Sequence, residues 1–201
     1  RIFEYGATVD SRIDWSATTA SPYPATVWAL NRIRDRSGNV IDFEYAENTS
    51  NLSFRLINIR YNANPGAGVT SSHRIAFVYE NRPSNEVDIG YVAGTPIRLV
   101  LRLDRIDVFH GATLLRRYEL NYEPALSPSG RSRLASVQEC GLGGTDCLAP
   151  TRFGWQNGTP GFTAASAAAA AIPTAASLPG HQLFNVADLN GDGQDDVIYA
   201  G

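Results

Sequence analysis

Leu30-Asn31-Arg32-Ile33-Arg34-Asp35-Arg36-Ser37-Gly38-Asn39-Val40-Ile41-Asp42-Phe43-Glu44-Tyr45 is the stretch that decides the fold class. Its second half, Ile41 to Tyr45, places an apolar side chain at every other position, the period of a strand with one better-buried face. Arg36-Ser37-Gly38-Asn39 interrupts the pattern with residue types that supply the backbone angles of tight turns. The stretch reads as a β-hairpin. The same alternation recurs in Ile75-Ala76-Phe77-Val78-Tyr79, in Ile97-Arg98-Leu99-Val100-Leu101-Arg102-Leu103 and in Tyr118-Glu119-Leu120-Asn121-Tyr122. Breaker clusters at Asn62 to Gly66, Asn81 to Asn85 and His110 to Ala112 separate these runs, so the region is predicted to be built from hairpins.

Aligning the hairpins exposes a looser repeat. Each unit opens on Leu-x-x-Ile/Val, at Leu30 and Ile33, Leu56 and Ile59, Leu103 and Ile106, and Leu134 and Val137. Each closes on an apolar-x-aromatic strand, Phe43 and Tyr45, Phe77 and Tyr79, Leu120 and Tyr122, and Phe153 and Trp155. The openings are 26, 47 and 31 residues apart, so loop length varies while the strand pair is kept. That variation suits a sheet extended by successive hairpins better than a small closed barrel, whose register and tilt are tightly linked.

Composition sets the outer limits. Of 201 residues, 43% are hydrophobic and 18% charged, with a net charge of −3, as in a soluble chain of one to two domains. A mildly acidic balance gives no electrostatic reason for a nucleic-acid or anionic-membrane partner. The longest weakly polar stretch, Phe162 to Ile172, is mostly Ala, ends at Pro173 and is too short for a membrane helix. The chain opens on Arg1 and ends inside an apolar run, and it reads as a piece of a longer protein. The expected organisation is a hairpin domain over 1–157, an Ala/Pro/Gly linker over 158–180 and a distinct unit over 181–201.

That last unit carries the sharpest motif, Asp188-Leu189-Asn190-Gly191-Asp192-Gly193-Gln194-Asp195-Asp196. Asp188, Asn190, Asp192 and Asp196 place side-chain oxygens at positions one, three, five and nine, and Gln194 offers its backbone carbonyl at position seven. Ca²⁺ takes six to eight hard oxygen ligands, and Gly193 permits the sharp turn that wraps them round one point. An EF-hand would carry Glu at position twelve on a helix, whereas Tyr199 stands there inside Val197-Ile198-Tyr199, a strand pattern. Asp195, at position eight, points away from the ion in this reading. The competing reading is an acidic hairpin turn that binds no metal.

The stretch Phe184 to Tyr199 resembles one FG-GAP or VCBS repeat, the calcium-loop element of integrin-type β-propellers. Upstream, Trp28 to Tyr45 and Leu115 to Tyr122 are similar to the SpvB-like N-terminal region of bacterial toxin-complex B components. That region belongs with the RHS/YD-repeat proteins, whose hairpin strips coil into a hollow shell. The resemblance implies an all-β fold: an RHS-like curved sheet of antiparallel hairpins, followed by the first calcium-loop hairpin of a β-propeller. It further implies a secreted or extracellular bacterial protein with a structural and delivery role, enclosing or gating a toxic cargo polypeptide beside other toxin-complex subunits. A calcium-dependent surface adhesin or carbohydrate-binding module is the alternative.

Cys140 and Cys147 enclose a Gly-rich loop that lets the two sulfurs meet, and reduced thiols are the other reading. The six intervening residues suit a zinc half-site poorly. His73, His110 and His181 fall in turn or linker settings without a nucleophile motif, so no enzyme is expected. Asp42, Glu44 and Asp107 alternate with apolar residues and are expected on a solvent face or a shell interior. Trp28 and Trp155 sit at repeat positions where burial is expected.

Overall fold

Strand pairing follows chain order, as hairpin-by-hairpin growth requires. The computed structural model describes residues 1–13, 25, 27–48, 53–86, 88–92, 95–158, 184–187 and 196–199. Two compact units are present, Arg1–Thr159 and Pro160–Gly201. The strands are β1 (Ile2–Tyr5), β2 (Arg12–Ile13), β3 (Val27–Trp28), β4 (Leu30–Arg34), β5 (Val40–Asn48), β6 (Ser53–Ala63), β7 (His73–Asn81) and β8 (Asp88–Val92). There follow β9 (Thr95–Leu99), β10 (Leu101–His110), β11 (Thr113–Tyr122), β12 (Leu134–Cys140), β13 (Thr151–Arg152), β14 (Phe184–Ala187) and β15 (Asp196–Tyr199). Helical geometry among the described residues is confined to three short 3₁₀ turns, so the fold is all-β, and every strand pair is antiparallel.

Nine strands of the first unit form one sheet in the order β1-β4-β5-β6-β7-β10-β11-β12-β13. The sequence units map onto its hairpins: β4–β5, β6–β7, β10–β11 and β12–β13. Two further hairpins, β2–β3 and β8–β9, are separate two-stranded sheets inserted between sheet strands. The run from Ile97 to Leu103 is therefore two strands and not the single one expected. Its first part pairs with β8, the Val100 carbonyl accepts the Arg82 amide at 2.8 Å, and from Leu101 the chain pairs with β7.

A bulge recurs at the same place in every opening strand. Tyr5 pairs with Leu30 and Glu4 with Arg32, leaving Asn31 as the extra residue. Tyr45 and Leu56 leave Ile57, Tyr79 and Leu103 leave Asp104, and Tyr122 and Leu134 leave Ala135. A bulge interrupts the hydrogen-bond ladder, and a backbone carbonyl at such a point needs another donor. The closing aromatic of the same unit supplies it. Tyr45 donates to the Leu30 carbonyl at 2.9 Å, Tyr79 to Leu56 at 2.8 Å and Tyr122 to Leu103 at 2.6 Å. Trp155 completes the series through its indole N–H, 2.8 Å from the Leu134 carbonyl, although its strand β13 ends at Arg152. Burial pushes the phenols of Tyr45, Tyr79 and Tyr122 above their ordinary pKa, which keeps them donors.

Candidate functional site

The period of two sorts the sheet into a charged face and an apolar one. On the charged face Arg32 pairs with Asp42 across β4–β5 at 2.5 Å, and Glu44 on β5 takes Arg60 of β6 at 2.5 Å and Asn58 at 2.8 Å. Arg74 of β7 continues the row by donating to Asn58 at 3.0 Å. Asp42 and Glu44 thus have partners on neighbouring strands. Asp107 departs from expectation: it is 4% exposed, held by Arg117 at 2.7 and 3.1 Å and by Arg105 at 3.3 Å. Burial pushes its carboxyl up, but the Arg117 and Arg105 hydrogen bonds and charges outweigh that and hold its pKa below the ordinary range.

The alternate positions form the apolar face. Ile33 pairs with Ile41, Phe43 on the same strand as Ile41 pairs with Ile59, Ile59 with Ile75, and Ile75 with Val108, a continuous stripe across five strands. At its β4–β7 end Ile33, Ile41, Ile59, Tyr61 and Ile75 floor an open cleft of about 860 Å³. Much of the polar rim is engaged in its own hydrogen bonds. Asp35 accepts from the amides of Ser37 and Asn39, both at 2.9 Å, and from the Asn39 side chain at 2.8 Å. Those bonds, the Asn39 side chain first, hold its pKa below the ordinary value. Asn64 from the next hairpin donates to the Ser37 carbonyl at 3.0 Å and to Asn39 at 3.2 Å. Arg1 also lines the cleft, so it offers apolar contact on its floor beside a cationic group on its rim.

A single sheet has little interior. Among the described residues only Val40, Ala63, Ala76 and Cys140 are buried apolar side chains, while Phe3, Ile41 and Phe153 remain exposed. A sheet face of this kind ordinarily packs on another layer. The charged interior is correspondingly local: Glu86, buried, accepts from Arg82 at 2.7 Å, from the Ser132 amide at 2.7 Å and from the Ser132 hydroxyl. Arg102 donates to Ser132 and to Glu80, each at 2.6 Å, and lies 4.0 Å over the Tyr122 ring. Burial raises the Glu86 pKa, but the Ser132 bonds and Arg82 together bring it below the ordinary value. The network joins the loop after β7 to the start of β10 and the approach to β12. Neither this network nor the cation–π contact with Tyr122 was read from the sequence, because the partners meet only through long-range pairing.

Other sequence expectations fall out as follows. Cys140 and Cys147 are joined, with sulfurs 2.00 Å apart, and their backbones form an antiparallel bridge. His73 and His110 are strand residues rather than loop residues; they face each other across β7–β10 and their rings stack at 4.7 Å. Tyr61 lies 5.2 Å from His73 on the other side, so the three rings form a stack at the sheet's end. Trp28 and Trp155 are half exposed, at 54% and 50%. Trp28 lies against Gly6, whose φ of +62° only glycine takes easily, and Trp155 reaches its carbonyl at the sheet's edge.

In the second unit β14 and β15 pair antiparallel, with Ala187 opposite Asp196. Asp188, Asn190, Asp192, Gln194 and His181 lie outside the described residues, as does the expected linker beyond Gly158. Among the described residues no group of three or more His, Cys, Asp or Glu side chains is arranged to hold a metal ion.

The first unit defines a class: a single antiparallel sheet of bulged hairpin repeats with a polar and an apolar face. No protein-family model matches the chain, and no curated protein matches it. Among solved structures it is similar to the N-terminal domain of the effector protein SpvB from Salmonella typhimurium strain LT2, at 17% identity and a TM-score of 0.52. That match covers 69% of this chain and 57% of the other, so the chain spans little more than half of that domain. The likeness is one of fold, and it agrees with the SpvB-like resemblance of the hairpin region.

Proposed function

We propose that this chain is a non-catalytic structural and delivery component of a secreted bacterial toxin assembly, its hairpin sheet forming part of a wall that encloses or gates a cargo polypeptide. The observation that carries the reading is the apolar stripe through Ile33, Ile59 and Ile75, backed by a charged opposite face and covered by no second layer among the described residues. An extended cargo chain meets apolar side chains there without competing for the sheet's backbone, which is engaged in its own ladder. The SpvB-domain likeness supports the reading through the fold. In the same proposal Asp188, Asn190, Asp192, Asp196 and the Gln194 carbonyl hold Ca²⁺ in a propeller-type hairpin, a donor set of hard oxygens that suits this ion. The ion's role there is to fix the loop joining β14 and β15.

The test is binding of a reduced, carboxymethylated polypeptide to the full chain, followed by fluorescence anisotropy. Ile59→Lys and Ile75→Lys are expected to weaken it at least tenfold, and Arg60→Ala, on the opposite face, to leave it within twofold. Equal effects on both faces would overturn the wall reading. Calcium-dependent binding on a glycan array, without polypeptide binding, would favour the adhesin.

A further inference from the structure

His73 and His110 stand directly opposite each other on β7 and β10. The next backbone bond outward runs from the Gly111 amide to the Ser72 carbonyl, at 2.7 Å. Bonded and non-bonded pairs alternate along an antiparallel ladder, so the two histidines form a non-hydrogen-bonded pair, the kind whose side chains lie closest. Their rings stack 4.7 Å apart with a tilt of 29°, and His110 is exposed and His73 half-buried. Ser72 Oγ lies 3.0 Å and Asn62 Nδ2 3.3 Å from one and the same ring nitrogen, Nδ1 of His73. Asn62 reaches it from a left-handed backbone with φ of +62°, the one non-glycine residue in that region among the described residues. Protein contacts thus collect on Nδ1 and leave Nε2 of His73, and both ring nitrogens of His110, without a hydrogen-bond partner among the described residues.

We propose that His73 and His110 form a two-imidazole chelate for a divalent late transition-metal ion, Cu²⁺ above the others, which ties β7 to β10. Imidazole suits Cu, Ni and Zn, and Cu²⁺ heads their order of affinity for a given set of donors. Ring nitrogens bind such ions at about 2.0–2.1 Å, so one ion bridges two nitrogens that stand roughly 3–4 Å apart. Rings 4.7 Å apart between centroids reach that separation by a small turn about their side-chain bonds. A hydrogen bond from Nδ1–H of His73 to Ser72 Oγ is the usual outer support of a metal-bound imidazole, since it fixes the tautomer that offers Nε2. No third His, Cys, Asp or Glu side chain joins the pair among the described residues, so water completes the coordination. That mixed set suits tetragonal Cu²⁺ better than structural zinc, which is held by four protein ligands. The ion meets both rings only when β7 and β10 are in register, so binding stabilises the folded sheet. The inference is independent of the cargo reading and of the calcium loop.

The probe is Cu²⁺ alone, titrated into the full chain in a buffer that does not bind the ion. Calorimetry should show saturable binding that His73→Ala and His110→Ala each weaken about tenfold or more, while His181→Ala stays within twofold of the parent. In EDTA both variants should melt with the parent, and added Cu²⁺ should raise the Tm of the parent alone. Electron paramagnetic resonance of the copper-loaded chain should show coupling to two imidazole nitrogens. In the parent, substoichiometric Cu²⁺ should broaden amide resonances around 72–74 and 109–112 before any others, a readout that needs no variant. The proposal fails if broadening begins elsewhere, if fewer than two imidazole nitrogens couple, or if Zn²⁺ binds the pair more tightly than Cu²⁺. It also fails if either variant of the pair binds Cu²⁺ as tightly as the parent, or if His181→Ala loses as much as they do.

Discussion

The hydroxyl of Tyr79 donates to the backbone carbonyl of Leu56 at 2.8 Å, from the strand that follows to the strand that opens the same hairpin. Twenty-three positions separate the two residues, against fifteen, nineteen and twenty-one for the equivalent pairs, so loop length is free while the contact is kept. Tyr79→Phe and Tyr122→Phe each leave a carbonyl without its donor. Each is expected to cost about 1–2 kcal/mol in urea unfolding. Tyr118→Phe, whose hydroxyl receives only an exposed 3.3 Å contact from Arg116, should cost less than about 0.5 kcal/mol.

Gly6→Ala should be among the most damaging single-methyl changes at the N-terminal edge. The added carbon meets Trp28 directly, and φ of +62° is strained for any L side chain. The expected loss is about 1–3 kcal/mol, accompanied by a shift in Trp28 fluorescence. Gly111→Ala, with a similar φ of +57° and open space around it, isolates the backbone share of that loss.

The carboxyls of Glu86 and Asp107 have folded pKa values below their ordinary 4.5 and 3.8. A depressed folded pKa contributes stability above the unfolded value and loses it as pH falls through the folded one. The urea midpoint should therefore hold steady near neutrality and decline as pH drops below about 4.5, and Glu86→Gln should flatten part of that decline. At the alkaline end the sign reverses. The phenols of Tyr45, Tyr79 and Tyr122 lie above 10.0, so their contribution is complete below that pH and is lost as pH rises through the folded values.

Protein made in an oxidising compartment should show Cys140 and Cys147 linked in non-reduced peptide mass spectra. Cys140→Ser with Cys147→Ser is expected to lower stability by roughly 2–3 kcal/mol in the chain-entropy account. Two free thiols in oxidised material would refute the pairing.

Calcium titration of the full chain should give a dissociation constant of roughly 10⁻⁴ to 10⁻³ M, the range of extracellular modules. Asp192→Ala should weaken binding further, and Asp195→Ala should leave it within twofold. Equal losses in the two variants, or no calcium heat in the parent, would sink the site.

Most of the sheet was legible because alternation and the Leu-to-aromatic spacing are local patterns that each hairpin repeats. The bulges were not, since Asn31, Ile57, Asp104 and Ala135 share no chemistry; what they share is a position next to Leu. The break at Val100 was hidden for a related reason, as an apolar run continues unbroken while its partner strand changes. His73 and His110 stack only through the register of β7 on β10, a pairing across thirty-odd residues that neither neighbourhood announces. The pairing of Tyr5 with Leu30 did have a signal in Phe3-Glu4-Tyr5, the same triplet that closes the first complete hairpin. On the candidate face, Ile59 and Ile75 followed from alternation, whereas the satisfied rim of Asp35, Asn39 and Asn64 depends on two hairpins meeting.

The recurring bulge makes the slip in register a property of the unit rather than of the whole. Every opening strand carries its extra residue directly after Leu, so two residues there stand against one on the neighbouring strand. Because side chains alternate with a period of two, that one extra residue sets which face the rest of the strand presents. Deleting it would exchange the two faces from that point on, like a zip with one tooth missing, and would turn charged side chains toward the apolar side.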